Sequence, residues 1–271
     1  MHDLAHPLGL LRSRKTSSNL DIAVARFPLS SKLSSLHNDV IQYSSDIHAS
    51  FDKNSSLSTY ALANIHYTAI FCHRGIRTLC EEGWTPLSSV LIRTMLDHII
   101  NCIAITAVPA RANYMAFKYI APLFMKLSTD PIKTDAERKV GRDALEKLVE
   151  WLSPGDQSEA KAFIKKNNPA AYFYSEEYRR PMDVLKLAPN LQPVYKEFSG
   201  PVHGGFSFQV LLNDHLAMQD INPREDRQSS KQAMRASSML LLEIGHARSA
   251  WNTLGHEEEY EKLLQRIIAL K

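Results

Sequence analysis

Three cysteines and no Cys-x-x-Cys pair leave this 271-residue chain without a disulfide framework or a zinc-ribbon signature. Cys72, Cys80 and Cys102 fall in apolar segments with helical spacing, so free buried thiols in a reducing compartment are expected. Glycine patterns that cradle nucleotide phosphates, the P-loop included, are missing. So is sustained two-residue alternation of apolar side chains, which argues against a sheet-built fold. A net charge of +3 is too small to call for a nucleic-acid partner by bulk electrostatics. Residues 1–28 hold no continuous apolar run and no small-residue cleavage site, so no secretory signal is read there and a cytoplasmic protein is expected. The one long apolar window, around residues 88–108, carries Arg93, Asp97, His98 and Asn101 at its centre, which argues against a membrane span.

What is present is helical periodicity. With 44% hydrophobic and 23% charged residues the composition is that of an ordinary globular protein long enough to bury a large core. Apolar spacing predicts helices over residues 31–51, 57–80, 85–108, 110–127, 134–152, 158–166, 191–198, 206–218, 229–254 and 256–270. Leu33, Leu36, Val40 and Ile47 mark the inward face of the first, and Ala61, Ile65, Ala69 and Cys72 that of the second. Gly83 reads as a helix stop, and Ser153-Pro154-Gly155 as another. The order fits an all-α, up-and-down helical bundle over residues 29–271, with residues 131–190 as an insertion-like segment and residues 1–28 as a loosely ordered arm.

The helix predicted over 85–108 carries the sharpest signal. Ser89, Arg93, Asp97 and Asn101 recur every four residues, with Thr94 and His98 beside them, on a helix otherwise made of Val, Leu, Ile, Met, Cys and Ala. Charges are costly to bury unless paired or used, so this stripe is the first candidate site. Arg93 and Asp97 read either as an ion pair tying helices together or as an anion clamp with its orienting carboxylate. The second candidate is Tyr195-Lys-Glu-Phe-Ser199-Gly-Pro-Val-His203-Gly-Gly. It reads as a tight helix corner, or as a base and binding group in which Ser199, His203 and Tyr195 join the first site. His66 and His73, seven apart, read as core histidines. Glu243-Ile-Gly-His246 has the Glu-x-x-His spacing of di-metal bundles, but no second copy exists, so no metal or other cofactor is assigned.

Arg93-x4-His98 resembles the Arg-x4-His pattern of HEPN ribonucleases, with Thr94 where that family usually has Asn, Asp or His. The resemblance implies RNA cleavage without a metal, with Arg93 on the phosphate and His98 transferring a proton. Taken together, Arg93-x3-Asp97 and Ser199-x3-His203 resemble bacterial all-helical families with Arg-x3-Glu on a central helix and Ser-x3-His on a later one. Here Asp replaces the Glu. That resemblance implies a helical bundle with a shared Arg/acid/His locus and no particular reaction. The leading expectation is a metal-independent ribonuclease, in a toxin or phage-defence setting, acting on RNA as a homodimer. A non-catalytic module binding a small anion or a protein partner is the alternative, and a metal-dependent helical-bundle enzyme the third.

Overall fold

The computed structural model describes residues 29–50, 56–166, 181–196 and 223–270. Its helices are α1 (Ser31–Ala49), α2 (Leu57–Glu81), α3 (Thr85–Thr106), α4 (Ala112–Thr129), α5 (Asp135–Glu150), α6 (Pro154–Lys165), α7 (Pro181–Val184), α8 (Pro223–Asn252) and α9 (Glu257–Ile268). Short 3-10 turns precede α4 and follow α7, and residues 192–196 are helical. No strand occurs among the described residues, and the fold is all-α.

Long α8 lies against α1, α2 and α3, and α2 also packs on α3 and α4. These helices form the bundle. The predicted inward faces of α1 and α2 are buried as read, from Leu33 to Ile47 and from Ala61 to Cys72. The α5–α6 pair leans on α4, and α9 crosses α1 and α8. Residues 1–28 and the helix predicted over 206–218 lie outside the described residues.

Two boundaries differ from the expectation. Ser153-Pro154-Gly155 ends α5 but also begins α6, because Ser153 Oγ accepts from the Asp156 backbone N–H and proline sits in the first turn where its missing donor costs nothing. Helix α8 starts at Pro223, six residues before the expected Ser229, with proline at its first position.

The turn that aims the site helix is legible in detail. Gly83 has φ 75°, the Trp84 N–H donates to the Leu79 carbonyl at 2.7 Å and the Gly83 N–H to Cys80 at 3.4 Å. This is a Schellman stop, and it reverses the chain within three residues so that α3 runs back along α2.

A second glycine sets the α4–α5 contact. A Cβ on Gly141 would lie 2.8 Å from the Ser128 backbone nitrogen and 2.9 Å from the Phe124 carbonyl oxygen, neither of which can step aside. Gly141→Ala gains about 1 kcal/mol in helix propensity but forces the two helices apart. A net destabilisation of about 1–3 kcal/mol is expected. Urea unfolding checks it, and an unchanged or raised midpoint would mean the helices separate freely.

Candidate functional site

The site is built from α3 outward. Helix α3 is apolar because it is enclosed by α2, α4 and α8, and its polar stripe emerges where the 181–196 segment covers it. The window Leu87–Thr106 is long and apolar enough to cross a membrane by length and composition, and half of it is buried against the rest of the protein.

Arg93 is 6% exposed. One guanidinium nitrogen, Nη1, donates to Asp97 Oδ1, and Nη2 donates to the Tyr195 hydroxyl at 3.0 Å. The guanidinium carbon also lies 4.4 Å from the centroid of the Tyr195 ring, a cation–π contact. The pair is asymmetric, since the Asp97 side chain is 48% exposed. An ion pair sealed in the interior is therefore not what α3 carries: the cation is enclosed and its carboxylate is wet. The arrangement fixes the orientation of the guanidinium through Asp97 on its own helix and Tyr195 from the covering segment.

His98 lies one turn on, partly buried. Both ring nitrogens are shut from solvent and neither has a hydrogen-bond partner. Burial lowers its pKa, with Asp97 opposing, so the ring is neutral at pH 7. No hydrogen bond joins it to Arg93, in keeping with the 140° between positions five apart. Asn101 is partly exposed on the following turn. The structure thus brings Arg93, Asp97 and Tyr195 together and sets His98 beside them. Ser199 and His203 lie outside the described residues.

The other histidines belong to the interior. His66 and His73 are both fully buried, as core histidines should be. His73 Nδ1 is 2.9 Å from Ser237 Oγ, whose hydroxyl donates to the Met234 carbonyl, so the imidazole must be the donor. Its ring stacks on buried His37 at 4.4 Å. Glu243 accepts from the Tyr260 hydroxyl at 2.9 Å, and His246 stacks on the Tyr260 ring. The Glu-x-x-His spacing is thus spent on packing α9, and among the described residues no three His, Cys, Asp or Glu side chains converge.

Sequence reasoning missed Arg248. It is 1% exposed, on the same face of α8 as buried Leu241 and Ile244. An arginine continuing an apolar face at i+3 and i+7 was the available signal. Its Nη1 donates to His66 Nδ1 at 3.0 Å and to His48 Nδ1 at 3.1 Å. Because guanidinium only donates, both imidazoles carry their proton on Nε2.

Residues 59–221 match the profile of DUF5677, a family of unknown function. That stretch is more than half of the chain, and the chain belongs to this family. It spans the α3 stripe, Tyr195, Ser199 and His203 alike. No curated protein and no solved structure matches the chain.

Proposed function

We propose that this member of the family is a metal-independent ribonuclease in which Arg93 binds the phosphate and His98 transfers the proton. One observation carries the reading: successive turns of α3 hold a guanidinium aimed by Asp97 and Tyr195, and a neutral imidazole without a hydrogen-bond partner, whose enclosed nitrogens the bound strand must uncover. A neutral imidazole is the form that takes a proton from the ribose 2′-hydroxyl. As the 2′-oxygen bonds to phosphorus, the bond to the 5′-oxygen breaks and that oxygen takes up the proton that His98 received. A 2′,3′-cyclic phosphate and a 5′-hydroxyl remain. Arg93 neutralises charge that builds on the phosphoryl oxygens.

The test is cleavage of labelled RNA by purified protein in EDTA. Cleavage should persist without metal, fail on a strand lacking the 2′-hydroxyl, and fall at least 100-fold in Arg93→Ala and His98→Ala. Arg93→Ala should stay folded, because half-exposed Asp97 is solvated once its partner is gone. Varied RNAs left intact would end the reading.

A second reading is favoured by the enclosure of the His98 nitrogens: a non-catalytic module holding a small anion at Arg93. Under it, RNA stays intact while phosphate raises the melting midpoint of the natural protein and not that of Arg93→Ala.

A further inference from the structure

Helix α2 is buried against α1, α3, α4 and α8 on most of its circumference and leaves one strip in the open. The large apolar side chains on that strip are all aromatic: Tyr60, Tyr67 and Phe71, at 42%, 47% and 51% exposed. Asn64, Thr68 and Arg74 fill the positions between and beyond them, each exposed. Between Leu57 and Cys80 the helix has no carboxylate.

The rings form two ledges. Tyr67 meets Phe71 edge-on at 4.7 Å and stacks on His48 of α1 at 5.1 Å. Tyr60 meets Trp151, at the end of α5, at 6.5 Å. Seven residues of helix set the ledges about 10 Å apart, the span of about three stacked nucleotides.

Cationic groups stand behind the strip and at its end. Arg248 lies directly behind His48, bonded to its Nδ1, and its charge helps to hold the His48 ring neutral. Arg74 stands at the far end of the strip, exposed. Asp46, the nearest acid on α1, points about 200° away from His48 around the helix and is engaged by Gln42.

We infer that this strip is a platform for single-stranded RNA, with Tyr60, Tyr67 and Phe71 stacking on bases and Arg74 meeting a phosphate. Aromatic rings flanked by cations and hydrogen-bonding groups suit base faces and a polyanionic backbone. Tyr60, Asn64, Tyr67, Phe71 and Arg74 also have the spacing a partner helix would read, so docking of a second protein is an outcome of the test. From the ribonuclease reading the inference takes only the choice of RNA as the polynucleotide, and binding is measured apart from cleavage.

The experiment is fluorescence anisotropy of the full chain with a labelled twelve-nucleotide uridine strand in EDTA, with a duplex of equal length as control. The single strand should bind more tightly than the duplex. Tyr67→Ala/Phe71→Ala should weaken binding at least 20-fold, Tyr67→Leu/Phe71→Leu should weaken it nearly as much, and Arg74→Ala should reduce the salt slope by about 0.7. All of these sites are exposed, so circular dichroism and melting should match the natural protein. Arg93→Ala should still bind. Binding without cleavage would sink the ribonuclease reading and leave the platform standing. Absence of binding, affinity unchanged by loss of both rings, or full affinity in the leucine pair would overturn the platform. Light scattering that shows a dimer abolished by the alanine pair would overturn it too, by assigning the strip to a second copy.

Discussion

Between pH 6 and pH 4.5 the protein is expected to lose about 4 kcal/mol of stability through His37 and His66, a large part of a typical domain's total, with His73 adding to the loss. The cause is three histidines that fold in as neutral rings. Burial, helped by nearby Arg77, pushes His37 down to about 4. Burial with Arg248 and His48 alongside pushes His66 down to about 3. His73, fully enclosed against His37, is held well below its ordinary value by burial first. In the unfolded chain all three titrate near 6.5. Below that pH the unfolded state takes up protons the folded state refuses, so stability is complete above pH 6.5 and falls as the pH drops toward the folded values. Each group contributes about 1.4 kcal/mol per pH unit over that window. Urea midpoints measured from pH 7.5 to 4.5 check this. His66→Gln should flatten the slope by one group's share whatever it does to the absolute stability. A midpoint constant down to pH 5 would show that the rings reach solvent.

Arg248→Ala is expected to lower stability by about 3–5 kcal/mol, the range for emptying a large, fully enclosed side chain. The guanidinium donates to two imidazoles from different helices, so its removal opens a cavity where α1, α2 and α8 meet. Burial pulls its own pKa down to about 10, so it is still cationic at neutral pH. Arg248→Met should recover at least half of the loss, since an apolar chain of similar length refills the space. The His48 and His66 acceptors, left without their donor, hold back the remainder. Equal destabilisation in both variants would mean the hydrogen bonds and charge matter more than the volume. With the cation gone, the acid sensitivity carried by His66 should also ease, because only burial and His48 then depress that ring.

Much of the architecture was written in local pattern. The faces of α1 and α2 and the Gly83 stop depend on residues within a turn or two of one another. Such features survive in sequence because their interactions are short-ranged. The α3 stripe was legible for the same reason: a polar residue every four positions on an apolar helix, two of them charged, must face something other than lipid-like core. Where local chemistry had two meanings, as at Ser153-Pro154-Gly155, the pattern marked the break without showing that a new helix began there.

Tertiary structure decided the rest. Sequence placed Arg93 and Asp97 on one face but could not say that the cation would be enclosed and the carboxylate wet. That asymmetry comes from the 181–196 segment, which lays Tyr195 over the guanidinium from 102 residues away. The pairings of His73 with Ser237 and of Arg248 with His48 and His66 span 164 to 200 residues. No spacing rule reaches that far, because which faces of distant helices meet is settled by packing of the whole bundle. The aromatic strip on α2 shows the same division. Sequence alone determined that Tyr60, Tyr67 and Phe71 share a helix. Only the packing of α1, α3, α4 and α8 decided that their side would be left open, since a helix apolar on most faces exposes whichever one its neighbours do not cover.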